Sequence, residues 1–202
     1  NVWQPGYGGG AIYNSMPYDC LNSTFVSNHT FDAPAGALCR LAPSTISNCT
    51  FIGNYLEGNN NPAGGAIANF VSDAGVSHGT FIGNTTVDRG GALYFAAGNT
   101  GTVSHCTFTS NWSTRLDAYA GGAMYADGGS SATVANCVFI GNWATNGGGS
   151  GGGAIFSYAA TGTKVKNCLF RQNQARYGGA VYFYSGQSRL DNCTLYANTS
   201  LV

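Results

Sequence analysis

The sequence predicts an all-β chain, a parallel β-helix of about seven coils. Three observations carry that expectation. Gly-Gly-Ala-(Ile/Leu/Met/Val) recurs at Gly9–Ile12, Gly64–Ile67, Gly90–Leu93, Gly121–Met124, Gly152–Ile155 and Gly178–Val181, with a decayed copy at Ala35–Leu38. Phe-x-x-Asn alternates with it, at Phe25/Asn28, Phe51/Asn54, Phe81/Asn84, Phe108/Asn111, Phe139/Asn142 and Phe170/Asn173, with a Leu195/Asn198 variant. The unit is 25 to 31 residues long and runs from end to end. A period of that length marks a solenoid, in which each repeat stacks only on its neighbours. The 202 residues therefore read as one repeat domain, residues 1–202.

Each element of the unit follows from its columns. Two residues before each Phe stand Ser23, Cys49, Gly79, Cys106, Cys137, Cys168 and Cys193. They share a strand face with the Phe, because side chains two apart point the same way. Five residues before the Phe stand Cys20, Ile46, Val76, Val103, Val134, Val165 and Leu190, which have the wrong parity for that strand. A bend must separate the two strands. Asn22, Asn48, His78, His105, Asn136, Asn167 and Asn192 are placed to supply it, since Asn and His tolerate left-handed backbone angles. The Asn of Phe-x-x-Asn offers a second column of corners, and a third short strand carries Gly-Gly-Ala-Ile. Coils stacked at the ordinary strand spacing of ~4.8 Å would make a rod on the order of 35 Å long. Stacking would turn Asn28, Asn54, Asn84, Asn111, Asn142, Asn173 and Asn198 into an amide ladder, and Phe25, Phe51, Phe81, Phe108, Phe139 and Phe170 into a core ladder. No window shows a sustained helical period, and the 31 glycines oppose helix.

The alternation of GGA(I/V/L) with FxxN resembles the repeat of chlamydial polymorphic outer-membrane proteins. It is also similar to right-handed parallel β-helix repeats of large bacterial surface proteins. The resemblance covers essentially the whole chain. It implies an extracellular or cell-surface passenger-type β-helix concerned with adhesion or surface structure, and no catalytic activity. Right-handedness follows from the resemblance and from the general hand of parallel crossovers.

Composition narrows the partners. Charged residues make up 8% of the chain and the formal net charge is zero, so the basic stripe that nucleic acid requires is missing. No apolar run approaches the ~20 residues of a membrane helix, so membrane insertion by this segment is not expected. A sequence of this kind calls for no cofactor.

The seven cysteines read as packed thiols where they fall in an inward column. Cys20 and Cys39 lie outside that column and are the disulfide candidates. A metal site needs four ligands converging on a point rather than a line, so none is expected. His78 and His105 share a column and could chelate a metal, but replacement of Asn at a bend is the plainer account. A polysaccharide lyase or glycoside hydrolase would need clustered carboxylates. Asp19, Asp32, Asp73, Asp88, Asp117, Asp127, Asp191 and Glu57 do not align in adjacent repeats. Asp88, Asp117 and Glu57 fall before Gly-Gly-Ala and could form a loose acidic edge. The seven N-x-Ser/Thr triplets mostly coincide with ladder asparagines, which would make poor glycan acceptors.

An aromatic column is the more suggestive feature. Tyr13, Tyr94, Tyr125, Phe156 and Tyr182 follow the core residue of each Gly-Gly-Ala unit and should point outward. Tyr55, Trp112 and Trp143 follow the ladder Asn. Such a face could stack on sugar rings or on another protein, or it could be covered by a long loop. No polar cap is recognisable at either end of the repeat, so the chain is expected either to be cut from a longer solenoid or to stack head to tail on itself. The leading expectation is a non-enzymatic structural or adhesive solenoid that self-associates into filaments. The alternatives are an adhesin fragment binding a host protein or glycan through its aromatic face, and a carbohydrate-active enzyme.

Overall fold

In the computed structural model, described for residues 8–58, 64–114, 119–145, 151–158 and 162–202, every named pairing is parallel. Four seven-stranded sheets run the length of the chain, and each contributes one short strand to each of seven rungs. Sheet 1 carries the residues after Gly-Gly: Ile12–Asn14, Leu38–Arg40, Ile67–Asn69, Leu93–Phe95, Met124–Ala126, Ile155–Ser157 and Val181–Phe183. Sheet 2 holds the aliphatic column, from Tyr18–Leu21 in rung 1 to Arg189–Asp191 in rung 7. Sheet 3 holds the Phe column, from Thr24–Val26 to Thr194–Tyr196. Three strands per coil account for these. A fourth, not foreseen from the repeat, follows the ladder Asn and builds sheet 4, from His29–Phe31 to Thr199–Ser200. Two or three residues long, it is too short to show an alternating pattern.

The corner between sheets 2 and 3 lies where the parity conflict requires it. Asn22, Asn48, His78, His105, Asn136, Asn167 and Asn192 all have φ between 47° and 54°. The corner between sheets 3 and 4 is displaced by one residue from expectation. The left-handed residues there are Ser27, Gly53, Gly83, Ser110, Gly141, Gln172 and Ala197, which precede the ladder Asn. That turn swings the next side chain inward, so the Asn becomes a buried amide rather than the corner itself.

Each ladder Asn of the middle rungs then uses all its hydrogen-bonding capacity. Asn111 Oδ1 accepts from Asn84 N at 3.0 Å and from Asn84 Nδ2 at 2.9 Å. Its Nδ2 donates to Phe81 O at 3.0 Å and to Asn142 Oδ1 at 3.0 Å. Two donors and two lone pairs are thereby satisfied. Beside this column the Phe25, Phe51, Phe81, Phe108, Phe139 and Phe170 rings stack at 4.7 to 4.9 Å, within 6° of parallel. In-register stacking sets that spacing.

The Gly-Gly pairs form the corner between sheets 4 and 1, and they are glycine for lack of room. A Cβ on Gly91 would lie 1.8 Å from Gly122 O and 2.7 Å from Trp112 N. Backbone from two rungs closes on that point, so no side chain can replace the hydrogen.

One interior column departs from the repeat. Asn14, Arg40 and Asn69 pair in register at the end of sheet 1, where later rungs have Phe95 and Ala126. Arg40 is wholly buried and donates to Ser44 Oγ at 2.9 Å, to Asn69 Oδ1 at 2.9 Å and to the Ser44 carbonyl. Burial lowers its pKa to about 10, against the opposing influence of Tyr18 and Cys20.

Candidate functional site

The register of sheet 1 stacks Tyr13, Cys39, Ala68, Tyr94, Tyr125, Phe156 and Tyr182 in one outward column. The expected open aromatic face is not what this column makes. Tyr94 and Tyr125 are 2% exposed and Phe156 is fully buried. Together with Ala35, Cys39 and Ala68 they form a second apolar cluster outside the solenoid. Tyr182 is half-buried, and Tyr13 alone of the five is exposed, at 47%.

The cover comes from the segments on either side of sheet 1, those before Gly-Gly-Ala and those leading to sheet 2. Arg89 Nη1 meets Asp127 Oδ2 at 2.5 Å, and its guanidinium carbon lies 5.3 Å from the Tyr125 ring centroid. Tyr94 donates its hydroxyl to the same carboxylate oxygen at 2.7 Å. Asp88, 2% exposed, stands 3.7 Å from Arg89 Nε. Phe70 tilts against Tyr94 and Tyr119 stacks on Phe156, with centroids 5.8 and 5.2 Å apart. Burial opposes the charge on Arg89, but Tyr125 and Asp127 leave its pKa raised. Burial, with the Asp127 charge and hydrogen bond, drives the Tyr94 phenol well above its ordinary range.

These contacts also decide the carboxylates. The loose acidic edge does not form as expected: Asp88 is buried against Arg89, while Glu57 pairs with His29 at 3.2 Å. Asp117 lies outside the described residues. Asp88 and Asp127 do come together, yet both are held by one guanidinium. That arrangement clamps two loops over Tyr94 and Tyr125. Asp19 and Asp73 border a shallow cleft of ≈ 420 Å³ beside sheet 2. Asp73 accepts from Thr100 Oγ1 at 2.9 Å, and Asp19 accepts from Thr45 N at 3.3 Å.

Exposed aromatic surface lies elsewhere. On the outside of sheet 4, Trp112 and Trp143 stack at 5.1 Å and 4°, each 37% exposed. Trp112 Nε1 donates to Thr145 Oγ1. Two rungs toward the N-terminus His29 and Tyr55 stack at 5.2 Å. At the other end of sheet 1, Tyr184 lies 4.8 Å from Tyr119 and 5.2 Å from Tyr158, with Tyr177 and Tyr184 each 45% exposed. Tyr158 and Tyr184 repeat one position, three residues after the core residue of Gly-Gly-Ala, a column shared with Phe70 and Asp127 and not foreseen from the repeat; Tyr119 and Tyr177 lie in the segments before Gly-Gly-Ala.

His78 and His105 stack at 4.9 Å and 5° with left-handed backbone angles, as bend residues do. Among the described residues no group of three or more His, Cys, Asp and Glu is arranged to hold a metal ion. The seven thiols are free. Cys20 and Cys39 are not a pair. Cys20 belongs to the central core and Cys39 to the outer cluster, with the backbone of sheet 1 between them. The ladder thiols pack as expected: Cys106, Cys137 and Cys168 take their neighbours along the column as hydrogen-bonding partners, each N–H donating to the next Sγ at 3.4 to 3.5 Å.

Four parallel sheets wound around one core, with amide and phenylalanine ladders inside, define a β-solenoid. The family model for the right-handed β-helix region matches residues 6–200, and the chain belongs to that family. Searches among curated proteins and among solved structures found no match.

Proposed function

We propose that this chain is a non-enzymatic, extracellular or cell-surface solenoid of structural or adhesive type that associates with itself rung upon rung. The observation that supports this most is the uniformity of the ladder. From Asn28 to Asn198 each step repeats the same three amide bonds. A step with constant geometry can be extended by another rung of the same kind. Leu195, in the Phe column of rung 7, is 47% exposed and Leu190 is 37% exposed. The heterologous contact between a first and a last rung does not close, so it propagates into a rod. The GGA/FxxN pattern and its likeness to polymorphic outer-membrane proteins agree with a surface role.

Sedimentation velocity and electron microscopy over rising concentration test this reading. Rods that lengthen along one axis are expected, and Leu195→Glu should abolish them while leaving the fold intact. A monomer at every concentration would reject self-association.

A second reading is favoured by the Trp112/Trp143 stack, a flat exposed surface suited to a sugar ring or an apolar peptide. Trp112→Ser with Trp143→Ser should remove glycan or host-protein binding without loss of β-structure. Unchanged binding would discard that face.

A further inference from the structure

We infer that Cys20 and Cys49 form an oxidisable pair, a site for a covalent cross-link between rungs 1 and 2. The two sulfurs lie 3.7 Å apart, in contact, although the residues belong to different columns. Cys20 pairs in register with Ile46 on sheet 2, and Cys49 stands three residues further, beyond the bend at Asn48. Approaching around a corner, the two side chains converge. Both belong to the central core, with Cys20 5% and Cys49 1% exposed, and Cys49 Sγ also donates to Cys20 O at 3.2 Å.

The ladder cysteines are placed differently. Cys106, Cys137, Cys168 and Cys193 repeat one position at the rung spacing, with side chains in parallel. Parallel side chains ~4.8 Å apart suit a disulfide poorly. Each backbone N–H along that column donates to the next sulfur, so their side chains are held in the parallel arrangement. The direction of approach, around a bend rather than in parallel, therefore separates one pair from the other five thiols.

The oxidant is a low-molecular-weight disulfide such as oxidised glutathione. Cys20 thiolate attacks one of its sulfurs and expels one glutathione thiolate. Cys49 thiolate then attacks the Cys20 sulfur of the mixed disulfide and expels the second glutathione. Two electrons pass to the reagent and the two thiol protons go to solvent. Burial first, then the neighbouring Cys49 thiol, raises the Cys20 pKa to about 11. Exchange should accordingly be slow at neutral pH and faster as pH rises. The bond would close a loop through rung 1, whose Phe25 ring stacks on Phe51 in rung 2, and hold that rung in its wound form.

The native chain is incubated with oxidised glutathione at mildly alkaline pH, then unfolded, alkylated and mapped by mass spectrometry. The seven thiols should fall by two, with one linked peptide pair joining Cys20 to Cys49 and a higher midpoint of thermal unfolding. Cys39→Ser should lose two thiols in the same way. Cys49→Ser and Cys20→Ser should each form no internal link, and either suffices if the other fails to fold. Seven surviving thiols in the native sequence, or a link between any other pair, would overturn the assignment.

Discussion

Two amide columns run the length of this solenoid, and they obey different rules. The inner one, Asn28 to Asn198, is Asn in every rung. The outer one, Asn22 to Asn192, admits His78 and His105 in consecutive rungs. Asn111 in the inner column is buried and fully hydrogen-bonded, and its bonds hold the backbone of the rung before it. The outer residues are required for a left-handed turn, and their side-chain bonds to each other lie at the surface, as between Asn48 and Asn22. A column that satisfies buried backbone tolerates one residue type. A column that satisfies a backbone angle tolerates any residue able to adopt it.

The sharpest test of close backbone packing is made at the third corner. Gly91→Ala would force backbone apart in two directions, and we expect a loss of more than about 4 kcal/mol or failure to fold. Gly75→Ala, where nothing lies within 4 Å of the new Cβ, should be close to neutral, and urea denaturation of the two variants checks the contrast. Next in size is Asn111→Ala, which strands the Asn84 amide and the Phe81 carbonyl; at ~1–3 kcal/mol for each unsatisfied group the expected cost is roughly 2 to 6 kcal/mol. Equal losses for Asn111→Ala and Asn136→Ala would erase the distinction between the columns. Asn136→Ala should cost only about 1–2 kcal/mol, from the left-handed angle alone. Asn136→Gly and His105→Asn should change stability by less than about 0.5 kcal/mol.

The outer cluster adds a pH test. Burial raises the Tyr94 phenol above its ordinary value of 10.0, and the Tyr18 phenol to about 12. Folding favours the neutral form, so this stability is complete below pH 10, the unfolded value, and falls as pH rises through the folded values. Tyr94→Phe should flatten that alkaline decline. An unaltered decline in thermal midpoint would show that Tyr94 does not contribute to it.

Much of the central solenoid was legible in the columns. The parity conflict between Cys137 and Val134 located a bend, and Asn136 supplies it. The Phe and inner Asn columns marked the core ladders because each rung repeats the environment of the last. The fourth sheet was not legible, since a two-residue strand such as Trp112–Ser113 has no period. The exact corner after Phe was misplaced by one residue because both Gly141 and Asn142 are permitted left-handed angles, and only the fold shows which one turns. Arg40 carried no signal either. Nothing local distinguishes a solvated arginine from one whose acceptors, Ser44 and Asn69, arrive from two different sheets.

The sequence by itself determined the repeat and, for the three strands per coil it foresaw, the direction in which each residue points and the residues that stack. These follow from local stereochemistry multiplied by translation along one axis. Only the tertiary structure decided what covers the outward face. Tyr94 and Tyr125 point away from the core as their parity requires, yet Arg89 and Asp127 close over them from the turns on either side of sheet 1. Periodicity reports which side of a sheet a residue occupies. Whether that side meets water depends on contacts between loops of adjacent rungs, and those contacts do not repeat.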